Sequence, residues 1–257
     1  MKTSSHSAIY VYGIVRSARR PRTSGAPRGV PEGAAPELQH VAAGMWLVTS
    51  TVPLDVYGPA NLEPRLRDLD WVARVAVAHE AVNEFFARAA GTVVPMTLFT
   101  MFSSMETALK DVRGRRTTID RAMRHVAGCE EWGIRVTRRR VVVDAGAHSR
   151  PTTGAGFLQA RKAARDATAS ARSAALEAAE AAFERLKRMS KDARRRHRAP
   201  EPGTTPPILE AAFLVRETAR TKFKAEARRQ APILAKAGAD VALTGPWPAY
   251  SFVGEEA

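Results

Sequence analysis

His79-Glu80-Ala81-Val82-Asn83-Glu84-Phe85-Phe86-Ala87-Arg88-Ala89-Ala90-Gly91-Thr92-Val93-Val94-Pro95-Met96-Thr97-Leu98-Phe99 changes its apolar period once, and that change sets the fold class. Val82, Phe85, Phe86 and Ala89 recur at the helical spacing i, i+3, i+4, i+7, and Gly91 supplies a left-handed stop. Residues 93–99 then form a continuous apolar run, which reads as a buried strand. A helix beginning at His79 is therefore followed at once by a strand. Outward on the C-terminal side, Ser103 and Glu106 have the spacing of a capping box, and Met105, Ala108, Leu109 and Val112 give the next helix an apolar face. On the N-terminal side, residues 9–15 and 45–52 are β-rich, and Pro53 ends the second run. Residues 16–37 are crowded with Arg, Pro, Gly, Ser and Ala and predict a mobile loop without an apolar anchor. Residues 1–128 are thus expected to form an α+β domain.

A second α+β domain is expected over 129–257. Trp132, Ile134 and Val136 alternate as in a half-buried strand, which 141–143 could extend before a loop at 146–154. Residues 156–196 predict one long Ala-rich helix with a seam of Leu176, Ala179, Phe183 and Leu186. APEPGTTPP at 199–207 ends it. A strand at 208–215, a helix from 217 broken at Pro232 and a strand at 240–244 follow. This order suggests an open sheet with helices on one face. The chain then reaches Gly245-Pro246-Trp247-Pro248-Ala249-Tyr250-Ser251-Phe252-Val253. Its two prolines exclude a helix or a central strand there, and its three aromatics each have area to bury. The tail is expected to dock in a groove.

Hydrophobic residues make up 45% of the 257 and support real cores. The lone Cys129 excludes an internal disulfide, as in cytosolic proteins. No targeting segment and no apolar run of the roughly 20 residues a membrane span needs is legible. The net charge of +14 concentrates in residues 187–198 and at Arg138-Arg139-Arg140. One reading is a surface for an acidic partner or nucleic acid; the other is a solvated helix end, which cations suit. No aromatics interleave the basic run to stack on bases, which favours the second.

No catalytic constellation is legible. His79-Glu80 opens like a zinc-protease helix, but Asn83 stands where the second histidine would be. The six histidines are dispersed without metal-ligand spacing, and Cys129 lacks a neighbour that would favour its thiolate. Gly154-Ala155-Gly156 lacks the third glycine of a dinucleotide turn. Tyr10, Tyr12 and Trp132 read as core residues. Cofactor, metal and catalytic residues are all expected to be absent.

Five segments in order resemble the gas vesicle accessory proteins of the F/L type. Tyr10-Val11-Tyr12-Gly13-Ile14-Val15 is similar to that family's opening strand. His79-Glu80 with residues 93–99 is similar to its HE…VLPLRFGT block, with departures at Met96, Leu98 and Thr100. Glu131-Trp132-Gly133-Ile134-Arg135-Val136 resembles E(W/Y)xVKV, Gly156-Phe157-Leu158-Gln159-Ala160-Arg161 resembles GxxYLxxR, and the tail resembles the C-terminal signature. The residues the resemblance singles out are Tyr12, Gly13, His79, Glu80, Pro95, Gly156, Leu158, Arg161, Gly245, Pro246, Trp247, Pro248, Tyr250 and Phe252. The resemblance implies two α+β domains, the second a modified ferredoxin-like fold with added helices, and a tail packed at the domain junction. It also implies a non-enzymatic cytoplasmic assembly factor, associated with the gas vesicle, that binds the hydrophobic shell subunit and meets other accessory proteins. Neither a membrane nor nucleic acid is an expected partner; a basic nucleic-acid-binding protein is the alternative.

Overall fold

The computed structural model describes residues 7–139, 153–196 and 206–253. The chain divides into two compact units, Met1–Glu131 with Pro246–Ala257, and Trp132–Gly245. The tail thus belongs to the first unit, where the sequence reading had assigned it to the second domain.

The first unit contains β1 (Ser7–Arg16), β2 (Glu37–Ala42), β3 (Met45–Pro53), the short helices α1 (Leu54–Tyr57) and α2 (Pro59–Arg65), and α3 (Leu69–Ala90). β4 (Val93–Pro95), β5 (Met101–Phe102), α4 (Met105–Gly114) and α5 (Arg116–Val126) follow. The sheet order is β2-β3-β1-β4, with β5 also on β1. β1 runs antiparallel to β3 from Ser7↔Pro53 to Arg16↔Met45, with a register shift between Val11 and Gly13. β1 lies between β3 and β4 with α3 packed against it, and its residues from Tyr10 to Val15 are all buried. Tyr10, Tyr12, Trp71, Val75, Val82 and Phe86 centre this core.

Four expectations change here. α3 starts ten residues before His79, because the Asp68 carboxylate accepts from the N–H groups of Asp70 and Trp71 and caps the helix at Leu69. The strand after α3 stops at Pro95, which has no N–H to donate, and Phe99 takes a φ of 64° outside the β region. The capping box is formed by Ser104 and Thr107, one residue beyond Ser103 and Glu106. The 16–37 segment has an anchor: Val30 is buried and its N–H donates to the Tyr12 hydroxyl at 3.0 Å. The Tyr57 hydroxyl holds the Pro31 carbonyl at 2.8 Å, and the end of the segment enters β2.

The second unit contains β6 (Cys129–Arg138), α6 (Gly154–Lys187), β7 (Asp192–Arg195), β8 (Leu209–Arg216), α7 (Arg220–Lys236) and β9 (Ala239–Trp247). Its sheet order is β7-β8-β6-β9. A βαββαβ chain with this order has the connectivity of a split βαβ unit. Phe213 of β8 meets Phe183 of α6 and Phe223 of α7 in the core. The predicted helix to residue 196 ends at Lys187. The Ser190 hydroxyl donates to the Lys187 carbonyl, and the Lys191 N–H then donates to Leu214 and starts β7. The basic run is consequently part strand: Arg195 pairs with Glu180 and lies 4.2 Å over the Phe183 ring. Ala175, Ala179, Phe183 and Leu186 make the buried seam of α6, whereas Leu176 is exposed. α7 continues through Pro232, because Leu234 beyond it is buried in the core. Cys129, at the first position of β6, is half-buried. The expectations for 141–143, 146–152 and most of 199–207 lie outside the described residues.

The last strand runs on through Gly245-Pro246-Trp247. Pro246 is tolerated there because β9 is a sheet edge. Tyr250–Val253 is then a short helix, α8, rather than extended chain.

Candidate functional site

In the first unit the tail closes over a polar cluster built by α3, β1, β4 and the start of β6. His79 and Asn83, four residues apart, share the inner face of α3. Tyr10 and Tyr12, two apart on β1, point to the same side. The His79 Nε2–H donates to the Met96 carbonyl at 3.1 Å, which leaves Nδ1 to accept from the Tyr10 hydroxyl at 2.9 Å. Burial holds this imidazole neutral, with its pKa lowered to about 4. Tyr12 donates to Ser50 at 3.0 Å.

Asn83 is the hinge of the arrangement. Its Nδ2 donates to the Tyr12 carbonyl at 3.1 Å and to the Tyr250 hydroxyl at 3.0 Å. Gly13, opposite Pro95 in the sheet, makes room for it. A Cβ at Gly13 would stand 2.6 Å from Asn83 Oδ1 and 2.9 Å from the Val94 carbonyl. Pro95 is buried at the end of β4, which α8 also touches.

Glu80 lies beside this hinge. Burial pushes its carboxyl up to about 7, opposed by a hydrogen bond from the Tyr250 hydroxyl and reinforced by Glu84 and Glu131. Burial and the neighbouring Glu80 together raise the Tyr250 phenol well above its ordinary value. The fully buried Glu131 accepts from the Ser251 N–H at 2.7 Å and from its hydroxyl at 2.9 Å. Phe252, 4% exposed, packs near the His125 ring of α5.

Of the residues singled out in the sequence, Tyr12, Gly13, His79, Glu80, Pro95, Tyr250 and Phe252 meet in or beside this cluster. Pro248 is buried at the entry to α8, and Gly245 and Pro246 form the end of β9. Trp247 is 41% exposed, so it does not dock with the other two tail aromatics. Gly156, Leu158 and Arg161 lie elsewhere, on the first turns of α6, where Leu158 is 66% exposed. Asn83, Glu131 and Ser251 were absent from the sequence-derived set. Their signal was a polar residue on an apolar helix face and an acidic residue at the head of a buried strand.

Chemically the cluster is a clamp. Its imidazole is neutral and committed at both nitrogens, its amide N–H groups go to Tyr12 and the tail, and the Glu131 carboxylate is occupied by the tail, while Asn83 Oδ1 is buried without a hydrogen-bond partner. Among the described residues no group of three His, Cys, Asp or Glu side chains could hold a metal ion. No helix among them is long and apolar enough to cross a membrane.

The model of the family described as gas vesicle synthesis protein GvpL/GvpF matches residues 8–254. Gas vesicle protein L of Streptomyces sp. (strain CB03234) is 31% identical over 265 residues, covering 95% of this chain and 92% of that protein. The crystal structure of gas vesicle protein GvpF from Anabaena sp. PCC7120 superposes with a TM-score of 0.68 at 14% identity, covering 98% of each chain. That of GvpF from Microcystis aeruginosa gives 0.64 at 11% identity, covering 96% of this chain and 99% of that one.

Proposed function

From the premise that this chain belongs to the GvpL/GvpF family of gas vesicle synthesis proteins, we propose that it is a non-enzymatic assembly factor that binds the hydrophobic shell subunit. An accessory role in the gas vesicle follows from the family itself. In the proposed role the protein limits aggregation of the shell subunit, supports growth of the vesicle wall alongside other accessory proteins, and works in the cytoplasm at the vesicle surface. The observation that carries this reading is the family match along nearly the whole chain, residues 8–254.

The surface is compatible with an apolar client. Leu69 and Val77 of α3 and Phe157 and Leu158 of α6 are large apolar side chains left mostly exposed. The basic run is a weaker docking surface, since Arg195 is already committed to Glu180 and Phe183.

Co-expression with the shell subunit and retrieval through a tag on this chain tests the proposal. Retention that persists at high salt is expected, because screening weakens exposed charge pairs but not apolar burial. Retention lost with rising salt would shift the contact to the charged surface. No retention at any salt, with the chain verified as folded, would overturn direct shell binding.

A further inference from the structure

We propose that the second unit carries a socket for a single aromatic side chain, presented by a partner segment with an acidic residue beside it. The socket goes beyond the assembly role and stands whether or not the shell subunit is the partner. Between α6 and α7, over β6 and β9, lies a cavity of about 160 Å³. It arises from the sequence: Ala182 on α6 and Ala227 and Ala231 on α7 face the gap, where longer side chains would fill it. Leu186, Leu234 and Leu243 supply apolar wall.

Size and lining choose the occupant. A cavity of about 150 Å³ lined by Leu, Ile and Phe stays dry and holds a benzene ring. One ring therefore fits here and a helix face does not. Apart from Arg228 and Gln230 the lining is apolar, and one N–H of the Gln230 amide is taken by Glu226 at 2.6 Å. Charge chooses what flanks the ring. The exposed Arg228 stands at the mouth, and α7 carries six Lys and Arg against one Glu. A carboxylate next to the inserted ring would meet that field favourably, and an ammonium would not.

The test is a methyl-resolved NMR titration of the full chain with three blocked dipeptide amides, acetyl-Glu-Phe, acetyl-Lys-Phe and acetyl-Glu-Ala. Saturable shifts at the methyls of Leu186, Leu234 and Leu243 are expected with Glu-Phe, weaker ones with Lys-Phe and none with Glu-Ala. Ala231→Leu, which fills the cavity, should abolish the shifts. Arg228→Glu should narrow the difference between the two Phe probes. Should Ala231→Leu not fold, the exposed Arg228→Glu variant carries the test alone. Absence of saturable shifts, shifts that survive cavity filling, or equal response to the Glu and Lys probes would overturn the proposal.

Discussion

Gly13 and Glu80 show how single positions govern the tail's seat. A methyl at Gly13 would press on Asn83 Oδ1 at 2.6 Å and on the Val94 carbonyl at 2.9 Å, and the backbone contact cannot rotate away. Gly13→Ala should cost about 1–3 kcal/mol, as other overpacking changes do, read by urea unfolding. Unchanged stability would mean that β1 and α3 separate easily. Glu80 carries a pH dependence whose sign is fixed by its raised pKa. The unfolded side chain ionises near 4.5 and the folded one near 7, so its contribution is present at low pH and lost as pH rises through 7. His79 acts oppositely: its pKa falls from 6.5 to about 4, so its contribution is present above 6.5 and lost as pH drops through 4. The two oppose each other over the range they share, but His79 is common to parent and variant and cancels in their difference. Glu80→Gln should therefore gain on the parent in melting temperature as pH is raised from 4.5 through 7, and level off above. A gap that stays constant with pH would contradict the raised carboxyl.

At the scale of elements, α8 and α6 behave as opposites. α8 is one turn long and would not persist alone, so tertiary contacts hold it. Removing residues 248–257 withdraws the buried Phe252, worth roughly 1.5–3 kcal/mol, and strips Ser251 from the buried Glu131. A drop of several degrees in melting temperature is expected. Trp247→Ala, at a 41% exposed position, should lower the melting temperature by less than the tail removal does. Equal effects of the two changes would show that Trp247, not α8, is the anchor. α6 is 34 residues long, yet its buried positions begin at Ala175. Among the described residues of its first half none is buried, so it should open locally at low cost. Brief trypsin digestion should cut first at Arg161, Lys162, Arg165 or Arg172, ahead of Arg19 and Arg22 in the segment that Val30 pins. First cuts at Arg19 or Arg22 would mean that this anchor is too weak to order the segment.

For the whole molecule the central fact is two cores in one chain. Trp71 and Phe86 belong to one and Phe213 and Phe223 to the other. The tail belongs to the first unit although the strand preceding it belongs to the second sheet. Phe252→Ala should accordingly raise amide exchange in α5 and β4, which α8 packs against, and leave β8 unchanged. Matched loss of protection in β8 would show that the two cores open together. The charge of +14 keeps the chain well away from neutrality, which favours solubility.

The sequence by itself determined the α+β class, because period and punctuation are local: Gly91 stops α3, and Val93 and Val94 begin the next strand. It also determined the family, through five ordered segments, and it placed Tyr12, Gly13, His79, Glu80, Pro95, Tyr250 and Phe252 on one page of motifs. Only the tertiary structure decided that these seven meet. Asn83 looked like a missing metal ligand until the Tyr250 hydroxyl came within 3.0 Å of it, 167 residues along the chain. Only the tertiary structure, likewise, turned the expected helix end at 191–196 into β7 and carried α7 across Pro232. In each case a partner distant in sequence outweighed local propensity: the Leu214 carbonyl for the start of β7, and the burial of Leu234 for α7. Trp247, at the last position of the edge strand β9, is left 41% exposed, an outcome its own hydrophobicity does not indicate.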